Sequence, residues 1–142
     1  QQALTDGLSL LIFPQGTRSK RLTRGHTGAA QIALYTGAPV IPVGSNGADG
    51  CYPGDSPVSR GGRIVYRIGA PLTREGALRD LQISEPFVPF TDDATRHQAV
   101  FQRATDLFMA RINDLLDEPY RFAPDSDATA DSPEGRGAAR FV

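Results

Sequence analysis

The sequence predicts an α/β protein with a mixed, partly parallel sheet and flanking helices. Two short apolar runs, Leu8–Phe13 and Pro39–Val43, lie on either side of a stretch whose apolar residues recur at helical spacing. A strand, a helix and a strand within about 35 residues typically form a right-handed βαβ unit with neighbouring parallel strands. Farther along, Arg63–Gly69 alternates apolar and polar residues as a half-exposed strand does, and Ala94–Leu116 has the spacing of a long amphipathic helix.

Local signals place the ends of these elements. Leu8–Phe13 ends at Pro14, and its mostly apolar composition predicts a strand that is buried on both faces. The helix that follows is expected to begin near His26 and to end at Gly37. The Asp-Asp pair at 92–93 suits the positive N-terminal end of the long helix. The Gly- and Pro-rich segments between these elements are predicted to be loops.

Composition restricts the class of protein. At 142 residues with 39% hydrophobic and 22% charged residues, the chain is expected to form one globular domain. A single cysteine, Cys51, excludes an internal disulfide framework and suits a reducing compartment. No signal peptide and no apolar run long enough to span a bilayer is present in the sequence.

Charge is distributed unevenly along the chain. Residues 1–105 carry a net charge of +3, whereas residues 106–142 carry −4. The mildly basic body favours an anionic ligand, but its excess of cations is smaller than nucleic-acid-binding domains usually show, so no nucleic acid is expected as a partner. From about residue 119 the composition turns to Asp, Ser, Pro, Gly and Ala, which predicts an acidic, disordered tail over 119–142.

A cationic loop follows the first predicted strand. Four cations lie within seven residues (Arg18, Lys20, Arg21 and Arg24), with no acidic residue among them. Loops at the C-terminal ends of parallel strands are where open α/β sheets bind ligands, and an arginine offers a planar fork suited to phosphate or carboxylate. The sequence does not fit the nucleotide-binding P-loop pattern. An ordinary solvated loop would have the same composition, so an anion-binding loop and a solvated surface loop both stay open as interpretations at this point.

Four segments, taken in order, resemble the glycerolipid acyltransferases, the family that includes 1-acylglycerol-3-phosphate acyltransferases. FPQGTRS (Phe13 to Ser19) is similar to that family's FPEGTRS block, and GAPVIPVG (Gly37 to Gly44) resembles its next block, a strand. GRIVYRIGAPL resembles the strand that follows, and ATDLFMARINDLL resembles the closing helix of bacterial members. The resemblance covers residues 8 to about 122. It implies that residues 1–118 are the C-terminal portion of an acyltransferase domain whose fold is incomplete at its N-terminus.

The resemblance implies a substrate, a reaction and a set of site residues. In the family, an acyl group moves from an acyl thioester, carried by coenzyme A or acyl carrier protein, to a glycerol hydroxyl of a lysophosphatidate-like acceptor. Arg18 matches the arginine thought to hold the acceptor's phosphate, and Gly16 would allow close approach. The implied substrate-binding loop comprises Phe13, Pro14, Gln15, Gly16, Thr17, Arg18 and Ser19. No cofactor and no metal is implied, and the lipid substrates imply a membrane surface on the cytoplasmic side, reached peripherally or through sequence outside this chain.

Two departures from the family pattern matter. The family's general base is a histidine in an H-x-x-x-x-D block, but His26 and His97 each have glutamine five positions on. We therefore expect no catalytic residue in this chain and no activity from it alone. His26 is interpreted as a helix-start residue and His97 as a solvated helix position. Gln15 replaces the family's glutamate and keeps its length and an acceptor oxygen without its charge.

Two expectations follow for the structure. Apolar side chains should be exposed around the loop, because the histidine-aspartate pair should lie in sequence that this chain does not contain. The Arg18 guanidinium should point into the mouth of a cleft.

Two other classes of function remain alternatives, namely a non-enzymatic relative that binds phospholipid or acyl groups and an α/β domain that binds a nucleotide or a sugar phosphate.

Overall fold

The computed structural model describes residues 4, 6–16, 19–51, 58 and 60–122. In order, its helices and strands are α1 (Gly28–Thr36), β1 (Val43–Asn46), α2 (Ala48–Cys51), β2 (Val65–Ile68), two 3-10 helices (Arg79–Leu81 and Asp92–His97), α3 (Gln98–Asp114) and a last 3-10 helix (Glu118–Tyr120).

The sheet formed by the described residues is a two-stranded antiparallel ribbon. β1 pairs with β2 from Val43 opposite Ile68 to Asn46 opposite Val65. An isolated antiparallel bridge between Val40 and Leu72 continues the pairing, with two backbone hydrogen bonds of 3.0 and 2.8 Å. The expected mixture of helix and sheet is therefore present, but the pairing in the described residues is antiparallel rather than parallel.

The prediction that Leu8–Phe13 forms a buried strand is wrong. Leu8–Phe13 has no strand partner within the part of the chain that the structure describes, and it is not assigned as a strand. Its side chains are exposed rather than buried, with Leu11 at 76% and Phe13 at 75% of their full exposure. A strand is held by ladder hydrogen bonds and by packing on its faces, and neither is supplied to this segment by the described elements. The apolar exposure that we expected around the loop is confirmed.

The main core lies between α1 and α3. α1 buries Ala30, Ala33 and Leu34 against the face of α3 that carries Phe101 and Phe108. The long segment between the ribbon and α3 covers this pair of helices with Leu72, Leu78, Leu81 and Phe87. The predicted amphipathic helix is thus confirmed as the centre of the core, because its apolar spacing gives it one continuous buried face.

The end of α1 agrees with the prediction from the sequence, whereas the start of α3 does not. α1 ends at Gly37, whose φ of +71° and N–H bond to the Ala33 carbonyl give the expected left-handed stop. Regular α-helix begins at Gln98, because the Asp92–His97 stretch forms a 3-10 helix instead. His97 is not a solvated position, since its ring packs 5.6 Å from the Phe87 ring and its Nε2 is buried without a hydrogen-bond partner.

A smaller second core and a polar junction join the ribbon and the loop to the end of α3. Leu22, Met109 and Leu116 are buried together, with Tyr120 packed beside them. The buried Asn46 side chain accepts a 2.7 Å bond from the Asp117 N–H and donates to the Leu115 and Val65 carbonyls. These contacts connect β1 to β2 and to the residues that directly follow α3. Of the predicted tail, residues 123–142 lie outside the described residues.

Candidate functional site

The block that resembles the acyltransferases begins with a tight turn. The Gly16 N–H donates to the Phe13 carbonyl at 3.1 Å, which closes a four-residue turn with Pro14 in its second position. Proline favours that position because its ring fixes the backbone angle that the turn requires. Gly16 has a φ of +66°, a left-handed conformation that residues with a side chain rarely adopt. The sequence therefore fixes the local geometry where the loop begins.

Gln15 braces this turn against the returning chain. Its Nε2 donates a 2.8 Å hydrogen bond to the hydroxyl of Thr23, and the pair is partly buried. Through this contact Gln15 braces the loop. A glutamate could keep the link by accepting the Thr23 O–H proton, because the carboxylate only reverses the direction of the bond.

His26 lies against the turn, a contact that no sequence pattern indicated. Its backbone N–H donates to the Pro14 carbonyl at 2.8 Å. A Cβ placed on Gly16 would lie 3.3 Å from Cδ2 and 3.6 Å from Nε2 of the His26 ring. His26 does precede α1 by two residues, as expected for a helix-start position, but its exposed imidazole lies on the loop. The residue that approaches Gly16 closely in the structure is thus His26.

Leu22 attaches the cationic part of the loop to the C-terminal part of the chain. The Leu22 N–H donates to the Tyr120 carbonyl at 2.7 Å, and the Leu22 side chain is buried in the second core. Gly25 is also buried, and a Cβ there would lie only 2.8 Å from the Met109 sulfur, so a larger residue would require the Met109 side chain to shift. Lys20, Arg21 and Arg24, on the same stretch, are exposed. Tyr120 was missed by sequence reasoning because nothing near it in the sequence marks it as a partner of the loop.

The predicted site residues differ in how the structure presents them. Phe13 and Gly16 are exposed, whereas Pro14, Gln15 and Ser19 are partly buried. Thr17 and Arg18 lie outside the described residues, and so does the expected direction of the Arg18 guanidinium. The structure brings Gln15 to Thr23 and Gly16 to His26.

Tyr120, whose carbonyl accepts the bond from Leu22, has a raised pKa. The Tyr120 hydroxyl donates a 2.7 Å bond to Asp49, which raises the pKa of Tyr120 above its usual value, together with burial. Within residues 4, 6–16, 19–51, 58 and 60–122, no three His, Cys, Asp or Glu side chains are grouped as they would be to hold a metal ion. Cys51 is free and buried. Among the helices that the structure describes, none combines the length and apolar composition needed to cross a bilayer.

Comparison with known proteins addresses the first third of the chain. Residues 1–46 match the model of the family described as Acyltransferase, a match that includes the Phe13–Gly16 turn, the His26 contact and α1. Neither the curated proteins nor the solved structures give a match. Over residues 1–46, therefore, the chain has the sequence pattern of the glycerolipid acyltransferase family.

Proposed function

We propose that the chain forms the acceptor side of an acyltransferase that transfers a fatty acyl group to a lysophosphatidate-like glycerol phosphate. The observation that carries the proposal is the family match over residues 1–46, because it spans the whole candidate loop, Phe13–Ser19. The match supports acyl transfer in general. The phosphate-bearing acceptor is inferred from the loop itself.

The charge around the loop favours a phosphate group. Residues 7–48 contain four cations and no Asp or Glu, so an anion near the loop meets no carboxylate from this stretch of chain. Lys20, Arg21 and Arg24 are exposed and raise the local positive potential. Arg18 is the residue that the family resemblance assigns to the phosphate, and its planar guanidinium can donate two parallel hydrogen bonds to phosphate oxygens.

The proposed reaction exchanges a thioester for an oxygen ester. The acceptor hydroxyl loses its proton to a general base and attacks the thioester carbonyl; the C–S bond breaks, and the thiol of coenzyme A or acyl carrier protein leaves. Because the sequence contains no H-x-x-x-x-D, we assign the base to a histidine outside these 142 residues. The chain is proposed to work at the cytoplasmic face of a membrane, in phospholipid biosynthesis, with the acyl thioester as its co-substrate.

The absence of H-x-x-x-x-D from these 142 residues also favours an alternative, non-enzymatic function. A relative that binds lysophospholipid or acyl groups without transferring them would keep the loop and would need no histidine-aspartate pair. Such a protein would bind lysophosphatidate but would not acylate it. Whether H-x-x-x-x-D occurs elsewhere in the gene's reading frame separates the two functions before any assay.

The decisive assay is acyl transfer by the full-length product of that reading frame, with lysophosphatidate varied at saturating acyl-CoA. Arg18→Ala should raise KM for lysophosphatidate in line with a loss of about 2–4 kcal/mol, because a charge-assisted phosphate contact is removed. Arg18→Lys should recover only part of that loss, since a point charge cannot replace a two-pronged contact. Lys20→Ala, an exposed neighbouring cation, is the matched control.

The outcomes separate the proposals. Small and equal effects at Arg18 and Lys20 would mean that the loop is only a charged surface turn. Binding of lysophosphatidate without transfer by the full-length protein would establish the non-enzymatic alternative. Acyl transfer by the 142-residue chain alone would show that the general base has been placed wrongly.

A further inference from the structure

We propose that His26 is a phosphate-contacting residue of the acceptor site and helps to select acceptors that carry a phosphate. The inference rests on the function proposed above, since it assumes that the loop binds the acceptor's phosphate. It adds a binding role to His26, which the sequence analysis interpreted only as a helix-start residue. The carrying observation is the placement of the imidazole against Gly16.

Two contacts hold His26 at the loop. Its backbone N–H is bonded to the Pro14 carbonyl at 2.8 Å, within the turn that opens the block. Its ring lies beside Gly16, with Cδ2 3.3 Å from the position that a Cβ on Gly16 would take. The absence of a side chain at Gly16 thus leaves room for this close approach. The residues that the family resemblance assigns to the phosphate follow Gly16 directly in the sequence.

The imidazole is available to a ligand. Within the described residues, no hydrogen bond and no ion pair involves the ring nitrogens of His26, and the residue is exposed. A neutral imidazole can donate one hydrogen bond to a phosphate oxygen, and a protonated one can donate two and adds a positive charge. The acid-free stretch 7–48 contributes no carboxylate that could occupy the ring instead.

The second histidine provides an internal contrast. His97 packs between Phe87 and Phe101, with ring centroids at 5.6 and 6.2 Å, so its ring belongs to the edge of the main core. The sequence contains only these two histidines, which makes their signals easy to separate in solution. A ligand at the loop should therefore affect one histidine and leave the other unchanged.

The first test uses the 142-residue chain and glycerol 3-phosphate as the probe. Imidazole resonances are followed by NMR during a titration, with His26→Ala identifying the His26 signal. We expect the His26 signal to move with the backbone amide signals of the loop while the His97 signal stays in place. Glycerol, which lacks the phosphate, should move neither. His26→Ala should weaken binding of the probe about tenfold or more, the effect of losing one hydrogen bond to a charged group.

A second measurement keeps the inference separate from the proposed function. In the full-length protein, His26→Ala should raise KM for lysophosphatidate with little change in kcat, and it should not alter KM for monoacylglycerol, which has no phosphate. His26→Lys, which retains a cation, should recover part of the loss. If the loop amides respond to the probe but the His26 signal and affinity do not, the inference is wrong and the proposed function stands. If neither responds, both are wrong.

Discussion

Replacing Leu22 by alanine tests whether the second core holds the cationic loop in place. The Leu22 side chain is only 6% exposed and packs with Met109 and Leu116, while its N–H is bonded to the Tyr120 carbonyl at 2.7 Å. We therefore expect Leu22→Ala to destabilise the fold and also to loosen the loop locally.

The expected size follows from burial. Burying a leucine side chain is worth about 1.5–3 kcal/mol, and truncating one in a core costs about 2–5 kcal/mol once the cavity is included. The second core is a small cluster, so the low end applies. We expect a loss of about 2–3 kcal/mol in the free energy of unfolding.

The assay is urea unfolding of the 142-residue chain, with Leu11→Ala as the matched control. Leu11 undergoes the same chemical change but is 76% exposed, so its substitution should cost no more than about 0.5 kcal/mol. At the usual slope for a small domain, the Leu22→Ala midpoint should fall by about 1–2 M urea. Amide exchange should also be faster at residue 22 and its neighbours than in the Leu11→Ala chain.

One result would refute the reasoning. If Leu22→Ala and Leu11→Ala shift the midpoint equally, the contacts of Leu22 with the end of α3 do not persist in solution. The anchoring of the loop by the C-terminal part of the chain would then have to be abandoned, whatever the loop binds.

Three further predictions concern the brace, the Tyr120 bond and the main core. Gln15→Glu should leave the melting temperature almost unchanged because the carboxylate can accept the Thr23 proton, whereas Gln15→Leu should cost about 0.5–1.5 kcal/mol; equal losses would contradict the brace. The bond to Asp49 raises the pKa of Tyr120, so its contribution to stability is present below pH 10 and is lost as pH rises through that higher pKa. Urea midpoints measured across that range should fall less steeply for Tyr120→Phe than for the parent chain, and parallel curves would contradict this. Phe101→Ala should cost about 3–5 kcal/mol by calorimetry because Phe101 is fully buried, and a loss below about 1 kcal/mol would place it outside the core.

Sequence alone was sufficient where structure depends on neighbouring residues. The apolar spacing within Ala94–Leu116 identified the helix that forms the core, and Gly37 marked the end of α1. Pro14 and Gly16 encoded the turn that opens the candidate site, since each favours a backbone conformation that the turn requires. The same block carried the resemblance to the acyltransferases, which the match over residues 1–46 bears out.

Tertiary structure decided which segments lie against one another. An apolar run such as Leu8–Phe13 predicts burial but does not name the element that covers it, and no described element does so. The alternation in Arg63–Gly69 predicted a strand correctly, yet Arg67 bonds to the Leu115 carbonyl and to Asp117 at the end of α3, while Tyr66 is exposed. Periodicity shows that a strand has two faces, but only packing determines which face is covered.

The candidate site shows the same division. The sequence by itself determined the turn, the positive charge and the family resemblance of the loop, because these are properties of consecutive residues. Only the folded chain placed the His26 ring beside Gly16 and the Tyr120 carbonyl within hydrogen-bond distance of the Leu22 N–H. Tyr120 follows α3, so its contact with Leu22 depends on where α3 packs, and helix packing is fixed by the whole core rather than by any local pattern of residues.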